Sequence, residues 1–172
     1  MYKPFDLTGR CAVVTGGNGG IGYGMAEALI AAGARVAIWG SNREKTARAK
    51  ASLGTDAEAF VCDVTSEEAV ERAFADSVAA LGHVDACFAN AGVSAIPTPL
   101  VDMKLADFRR VMQVNVEGVF LTFRAAARHM AARGRGGALV ATASTAALEG
   151  AARNSHYGAS KGAVTSYVRA LA

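Results

Sequence analysis

The sequence lacks several features that would assign it to a membrane, secreted or metal-binding class. No hydrophobic run approaches the ~18 residues of a membrane-spanning helix. The start, MYKPFDLTGR, has no apolar segment typical of a secretory signal. The three histidines, His83, His129 and His156, lie too far apart in sequence to form a metal motif. We therefore expect no membrane span, no metal and a cytoplasmic location.

Cysteine and charge are also scarce. Cys11, Cys62 and Cys87 are widely separated and lie in or beside apolar runs, so we expect reduced, buried thiols. Charged residues make up 19% of the 172 residues, and the excess of 18 Lys+Arg over 15 Asp+Glu is spread along the chain. This distribution does not predict a surface for nucleic acid.

Hydrophobic residues are plentiful, at 52%, and they fall into an alternating pattern. Short apolar runs predict buried strands at 11–16, 35–40, 57–65, 84–92 and 137–144. Segments with helical periodicity lie between them, at 24–34, 43–53, 66–82, 105–133 (bent at Gly118) and from about 156 to 172. Near-continuous apolar strands alternating with helices predict an α/β fold, with a doubly wound parallel sheet covered on both faces.

The stretch TGGNGGIG, residues 15–22, places five glycines between the first strand and the first helix. A strand–loop–helix unit gathers free backbone N–H groups and the positive end of the helix dipole at one point. Glycines let a phosphate approach that backbone closely, whereas a tight turn alone would need only one or two of them. We therefore predict a phosphate-binding loop anchored by Gly16, Gly20 and Gly22.

Further motifs accompany this loop in a characteristic order and spacing. They are Asp63-Val64 after the third strand, ANAG (89–92) at the end of the fourth, Asn115 in the long helix, Ser144 at the end of the fifth strand, and Tyr157 and Lys161 in YGASK. Together with the Thr-Gly-x-x-x-Gly-Ile-Gly loop, this set resembles the short-chain dehydrogenase/reductase family in its shorter form. The family usually has Asn-Asn-Ala-Gly where this chain has Ala89, and Asn90 is retained.

The resemblance implies a Rossmann-type fold and an NAD(P)-dependent oxidoreductase that transfers a hydride between a nicotinamide cofactor and a secondary alcohol or ketone. It implies catalytic roles for Asn115, Ser144, Tyr157 and Lys161. It also implies cofactor contacts from Gly16, Asn18, Gly20, Ile21, Gly22, Asp63, Val64, Asn90, Ala91, Gly92, Tyr157 and Lys161.

The chemistry expected of the motif centres on Tyr157 and Lys161, which are four residues apart and share a helix face. Taken alone, such a pair is most often an exposed surface pair. Ketone reduction needs a proton donor at the oxygen, however, and a nearby ammonium lowers the pKa of tyrosine from its usual ~10. By resemblance, Tyr157 is the general acid/base, while Lys161 lowers its pKa and binds the nicotinamide ribose.

The resemblance gives the other two catalytic candidates supporting roles. It implies that Ser144 hydrogen-bonds the substrate oxygen. It implies that Asn115 distorts its helix and holds a water that relays protons to the lysine. On the residues alone, Ser144 could instead cap a turn, and Asn115 could be a polar residue inside a helix, an unfavourable place for Asn.

The end of the second strand, about 20 residues after the glycine loop, distinguishes between nicotinamide cofactors. An acid there would bind the ribose 2′-OH and repel a 2′-phosphate, but the chain has Gly40, followed by Ser41, Asn42 and Arg43. These three residues could hold a phosphate. We expect NADP, with NAD as the alternative because no Arg occupies position 41, where many relatives that use NADP have one.

Two helices carry more apolar residues than a stripe facing a sheet requires. These residues are Val116, Val119, Phe120 and Phe123 in the helix at 105–133, and Val164, Tyr167, Val168 and Leu171 in the terminal helix. In the family the corresponding helices form a contact between subunits. We therefore expect a homodimer or homotetramer through these faces.

The resemblance also implies further strands and a substrate-covering loop beyond residue 172. We expect one dinucleotide-binding domain, residues 1–172, that is truncated at its C-terminus, whether as a fragment or as a natural short form. A cofactor-binding module with little or no activity is therefore an alternative function. A structural role in assembly is a third possibility, which the intact glycine loop and Tyr/Lys pair disfavour. The small-molecule substrate stays open, because this scaffold serves many.

Overall fold

The computed structural model describes residues 5–172, which form five β-strands and six α-helices. The strands are β1 (Cys11–Thr15), β2 (Arg35–Gly40), β3 (Ala57–Val61), β4 (Ala86–Ala89) and β5 (Ala138–Ala141). The helices are α1 (Gly20–Ala31), α2 (Arg43–Leu53), α3 (Glu67–Leu81), α4 (Leu105–Met112), α5 (Gly118–Arg133) and α6 (Ser155–Leu171). No helix within residues 5–172 has the length and apolar character needed to cross a membrane.

The five strands form one parallel sheet in the order β3-β2-β1-β4-β5. The first strand lies at the centre, so the chain moves outward to β3 on one side and then returns to build β4 and β5 on the other. This reversal beside β1 opens a crevice at the carboxyl ends of the strands. The predicted doubly wound parallel sheet is confirmed.

Side chains of the central strand alternate between the two faces of the sheet, as the two-residue period of a strand requires. Ala12 and Val14 pack into the core that α1 and α2 cover. Val13 belongs to the opposite core, where Trp39 and Phe74 meet edge to face. Both cores exclude water from the sheet, which explains why its strands are near-continuous apolar runs.

The long helix predicted for residues 105–133 is interrupted by a π-helical segment at Gln113–Glu117. This interruption ends just before Gly118, where the sequence predicted a bend. Gly118 itself serves close packing, because a Cβ there would lie 2.8 Å from Cγ2 of Val64. A π segment within an α-helix frequently marks a functional site, and this one contains Asn115.

Several apolar residues expected at a subunit contact pack within the chain itself. Val119, Phe123 and Val164 join Ala89 in a buried cluster between α5, α6 and the sheet. Phe120 stays 42% exposed. The periodicity of the two helices identified an apolar face correctly, but the sheet covers more of that face than we expected.

A charged cluster around Asp85 lies at the amino ends of β1 and β4, which is the opposite end of the strands from the crevice. Its carboxylate accepts hydrogen bonds from the backbone N–H of Cys11 (3.1 Å) and from the guanidinium of Arg133 (3.1 Å), and it lies 3.0 Å from His83 Nε2. Burial alone would raise the pKa of Asp85, but these partners together hold it below its ordinary value. The folded state therefore favours the ionised carboxylate.

We expect Asp85→Asn to lower the free energy of unfolding by about 1–3 kcal/mol at neutral pH, because donors are left around a neutral amide. A depressed carboxyl pKa stabilises the fold above the unfolded-state pKa of ~3.9, and that contribution disappears as the pH falls through the folded-state value. Urea unfolding between neutral and acidic pH should show a shallower loss for Asp85→Asn than for the parent. The exposed Asp76→Asn is the control, and an equal effect there would contradict the assignment.

Candidate cofactor and active site

A cleft of about 760 Å³ opens at the carboxyl ends of the strands, on either side of β1. Open α/β sheets bind their ligands at this position. The predicted site residues that line it are Gly16, Asn18, Gly20, Ile21, Ser41, Asp63, Val64, Asn90, Ala91, Gly92, Tyr157 and Lys161. The predicted residues outside its wall are Gly22, Asn42, Arg43, Asn115 and Ser144.

The glycines of the loop between β1 and α1 serve different purposes. Gly16 and Gly20 have φ values of 65° and 54°, which glycine adopts at no steric cost. A Cβ on Gly22 would lie 2.4 Å from the carbonyl oxygen of Gly16, and a Cβ on Gly17 would lie 2.7 Å from Ile38. These last two glycines therefore allow the loop to pack tightly against itself and against β2.

The N-terminus of α1 faces a ligand-sized space. Within the described residues no side chain caps this helix, and its first turn has no acidic residue. Its N–H groups and the positive end of its dipole are thus free for an anion. A Cβ on Gly20 would meet nothing within 4 Å, so a ligand could lie directly against the backbone. These features fit a phosphate or pyrophosphate group.

Three polar side chains join the ends of β1, β4 and β5 beneath the cleft. The hydroxyl of Thr15 accepts hydrogen bonds from the N–H groups of Asn90 (3.0 Å) and Ala91 (2.9 Å). The Asn90 amide donates to the Thr15 carbonyl (3.1 Å), and the Thr142 hydroxyl donates to Oδ1 of Asn90 (3.0 Å). Asn90 therefore holds the glycine loop and the end of β5 at a fixed distance. Ala89, where this chain departs from the family's usual Asn-Asn-Ala-Gly, contributes no side chain to this network.

Asn115 is fully buried beneath the cleft and fixes the chain just after β4. Its Oδ1 accepts from the N–H of Val93 (2.8 Å), and its Nδ2 donates to the Val93 carbonyl (2.9 Å) and to Oγ of Ser160 (3.0 Å). A Cβ on Gly92 would lie 3.2 Å from Asn115 Oδ1 and 3.4 Å from Lys161 Nζ. Asn115 thus links the π segment, the β4 end and α6.

Tyr157 and Lys161 lie one turn apart on α6, and both line the cleft. The ammonium of Lys161 lies 5.9 Å from the centroid of the Tyr157 ring and donates a hydrogen bond to the carbonyl of Thr142 (2.7 Å). Burial lowers the pKa of Lys161 from its ordinary value. The structure therefore places a cation beside the tyrosine inside a partly dehydrated site.

Ser144 follows β5 and begins a short 3₁₀ turn, Thr145–Ala147. Its hydroxyl oxygen accepts a hydrogen bond from the N–H of Ala146 (3.2 Å), which is the capping arrangement that the sequence also allowed. The hydroxyl proton has no acceptor among the hydrogen bonds of the described residues, so it is available to a ligand.

Of the three residues that follow β2, only Ser41 lines the cleft. The side chain of Asn42 caps α2 by accepting from the N–H of Lys45 (2.8 Å). Arg43 begins α2 and does not line the cleft, but Lys45, which the sequence analysis passed over, does. Of these two cations in the first turn of α2, Lys45 and not Arg43 reaches the cleft.

Asp63 and Cys62, which follow β3, form another wall of the cleft. Asp63 accepts hydrogen bonds from the N–H (3.0 Å) and the hydroxyl (2.8 Å) of Thr65, which fixes its carboxylate. Burial first, and then the charge of Asp63, raise the pKa of Cys62 to about 12. The Cys62 thiol therefore stays protonated and unreactive, as the prediction of buried thiols implied.

Sequence reasoning missed four residues of this region: Thr15, Lys45, Thr142 and Ser160. Thr15 and Ser160 carry local signals, since they lie within the TGGNGGIG and YGASK stretches. Lys45 and Thr142 carry none, because they reach the cleft from segments outside these motifs. Only the packed structure reveals that these two line it.

The whole arrangement agrees with known proteins. The sequence pattern of the family described as short chain dehydrogenase matches residues 10–172. The chain is also 38% identical over 167 residues to a 2,5-dichloro-2,5-cyclohexadiene-1,4-diol dehydrogenase of Sphingobium indicum, covering 97% of this chain and 67% of that protein. The chain therefore belongs to the short-chain dehydrogenase/reductase family.

Solved structures give the same result. A 3-ketoacyl-(acyl-carrier-protein) reductase from Brucella melitensis, complexed with NADH, superposes with a TM-score of 0.93 at 32% identity, covering 96% of this chain and 69% of that one. A xylitol dehydrogenase bound to NAD+ gives 0.93 at 38% identity, covering 99% and 65%. The chain spans about two thirds of the length of these relatives.

Proposed function

We propose that the protein is an NAD(P)-dependent oxidoreductase that transfers a hydride between a nicotinamide cofactor and a secondary alcohol or ketone. The observation that carries this proposal is the presence of Tyr157 and Lys161 in the same cleft as the glycine loop. A phosphate site and a proton donor that share one cleft suit a reaction in which a dinucleotide supplies the hydride.

The cleft has a suitable residue for each part of a dinucleotide. Gly16, Gly20 and Ile21 at the N-terminus of α1 would hold the pyrophosphate, with Asn18 and Gly22 completing the loop. Asp63 and Val64 would contact the adenine. Asn90, Ala91 and Gly92 would lie along the nicotinamide half, where Lys161 would bind the ribose. When bound, the nicotinamide gives or accepts the hydride.

The protein's own part in the chemistry is to move a proton. During reduction, the Tyr157 hydroxyl would donate its proton to the carbonyl oxygen of a substrate whose carbonyl carbon receives the hydride that the bound cofactor supplies; during oxidation, Tyr157 would take that proton back. The nearby Lys161 ammonium stabilises the phenolate that this donation leaves. Ser144 lies outside the wall of the cleft, and its proposed role is to donate its hydroxyl proton to the same oxygen when substrate is bound. Asn115, through its contacts with Val93 and Ser160, would hold the segments that carry these groups.

We propose NADP as the preferred cofactor. The two solved relatives described above hold NADH and NAD+. The support for NADP comes instead from this chain's own residues. Gly40 leaves the end of β2 without the acid that would bind a ribose 2′-OH and repel a 2′-phosphate.

The test is a binding titration followed by turnover. Adding NADPH or NADH to the protein and recording nicotinamide fluorescence should show saturable binding. A panel of ketones and secondary alcohols should then change the absorbance of the reduced cofactor. Binding without turnover on any substrate would favour a cofactor-binding module with little or no activity. Failure of both cofactors to bind would overturn the proposal.

We also propose a cytoplasmic homodimer or homotetramer, with α5 and α6 at its contact. The support is the exposed part of their apolar face, Phe120 and Leu171, beside the half-buried Val116, Tyr167 and Val168.

We expect Phe120→Glu to shift the protein toward monomer in sedimentation velocity. The exposed Val101→Glu, far from this face in sequence, is the control and should leave the distribution unchanged. A parent protein that is monomeric at every concentration would contradict this proposal.

A further inference from the structure

At the end of β2, another side chain fills the space that an acid at position 40 would need. A Cβ built on Gly40 would lie 2.0 Å from Nδ2 and 2.4 Å from Cγ of Asn18, and 2.6 Å from the hydroxyl of Thr46. Asn18 cannot yield easily, because it donates a hydrogen bond to that hydroxyl (2.9 Å), which itself donates to the carbonyl of Asn42 (2.7 Å). Thr46 is 2% exposed. Positions 18 and 40 therefore compete for one volume.

The side chain of Lys45 reaches across the glycine loop from the first turn of α2. A Cβ built on Gly19 would lie 2.6 Å from Lys45 Nζ and 2.7 Å from its Cε. The missing side chain at Gly19 is thus what admits the ammonium to the cleft, which Lys45 helps to line. Within residues 5–172 this ammonium has neither an ion-pair partner nor a hydrogen-bond acceptor.

The other charges near the cleft do not compete for this role. Two further cations line it, Arg110 and Lys161, and both come from elements at its other end, beside Ser94 and Tyr157 respectively. Asp63, the acid on the neighbouring wall, is held by Thr65. Of the cations that line the cleft, Lys45 is consequently the one beside the glycine loop, in the part of the cleft that Ser41 also lines.

We propose that Lys45 recognises the 2′-phosphate of the adenine-side ribose, and that Asn18, fixed by Thr46, excludes an acid from position 40. The inference rests on the proposed function, and it explains cofactor choice by a pair of residues and not by Arg43. A phosphate at this place would meet a free ammonium and the Ser41 hydroxyl, and position 40 would present no carboxylate to it. A 2′-OH in the same place could accept a bond from the ammonium, but it would bring no negative charge to pair with it.

The first experiment measures the affinity of NADP+ and NAD+ for the parent and for Lys45→Met by calorimetry. We expect Lys45→Met to weaken NADP+ by about 10- to 100-fold, the range for a hydrogen bond between charged groups. Affinity for NAD+ should stay nearly unchanged. The matched control is Arg43→Met, which removes a neighbouring cation that does not line the cleft and should have little effect.

Three results would overturn the assignment: parent protein that prefers NAD+, Lys45→Met that leaves NADP+ binding intact, or a larger loss from Arg43→Met. Each of these leaves the proposed oxidoreductase standing. Parent protein that binds neither dinucleotide is a different outcome, since it removes the proposed function and this inference together.

The second experiment tests the shared volume at positions 18 and 40. Gly40→Asp alone should lower the unfolding temperature and weaken both cofactors, because the carboxylate displaces Asn18 and breaks its bond to Thr46. Gly40→Asp combined with Asn18→Ala should recover the unfolding temperature and prefer NAD+ by about tenfold or more, as a carboxylate placed against the ribose predicts. Asn18→Ala alone is the control. Additive effects of the two substitutions, or full stability of Gly40→Asp alone, would refute the coupling.

Discussion

Replacing Tyr157 with phenylalanine is expected to reduce kcat by at least about 10²–10⁴-fold, the range for loss of a general acid–base group. Affinity for the cofactor should change little, because the aromatic ring and the bond from Lys161 to the Thr142 carbonyl (2.7 Å) both remain. Steady-state kinetics measures kcat and a cofactor titration measures the affinity, and both should be done on the same preparation of each variant.

The matched control for this change is Tyr167→Phe. Tyr167 lies on the same helix, α6, but its ring packs on Phe120 and Phe123 away from the cleft. Removing its hydroxyl should therefore leave turnover near the parent value. A Tyr157→Phe enzyme that turns over as fast as Tyr167→Phe would remove Tyr157 from the proton transfer.

Gly22→Ala is expected to disturb both the fold and the cofactor site. The added methyl group would lie 2.4 Å from the Gly16 carbonyl oxygen and 2.5 Å from Nδ2 of Asn90, so the glycine loop must move. Overpacking of this kind destabilises proteins by about 1–3 kcal/mol. Because the loop supplies the N–H groups for the pyrophosphate, dinucleotide affinity should fall as well.

Gly24→Ala provides the opposite expectation two residues further along α1. A Cβ at this position would meet nothing within 4 Å, and the residue is exposed. Alanine is favoured over glycine inside a helix by roughly 0.5–1 kcal/mol, so this variant should be slightly more stable than the parent. Urea denaturation of both variants, with a cofactor titration of each, checks the pair. Equal behaviour of the two would show that the loop tolerates movement.

Much of this fold could be predicted from sequence because its signals are local. Alternating apolar runs and helical periodicity located the five strands and the helical segments between them, although α4 and α5 were predicted as one helix. The order of the motifs identified the family. Boundaries were less certain: α1 begins at Gly20 and not at residue 24, since the glycine loop itself supplies the first helical turn. A glycine-rich stretch has low helix propensity, so only the packed structure reveals that it is helical.

The parts of the site that could not be predicted depend on contacts between distant elements. No local pattern shows that Lys45 crosses Gly19, or that Asn18 occupies the space above Gly40. Similarly, the apolar residues Val119 and Phe123 could face the sheet or another subunit, and periodicity does not distinguish between those partners. The catalytic roles of Asn115, Ser144, Tyr157 and Lys161 stay predictions.

The central position of β1 also governs how the molecule folds. Its pairing with β2 joins segments close in sequence, whereas its pairing with β4 places Ala12 beside Ala86 and must close a far longer loop. Non-local pairings of this kind slow folding. The cleft needs β1, β4 and α6 together, so it is complete only when the slow pairing is made. A dinucleotide that binds there stabilises the finished fold alone, by about 2.7 kcal/mol at 100 times its Kd. It would therefore protect the native protein by slowing unfolding without speeding folding.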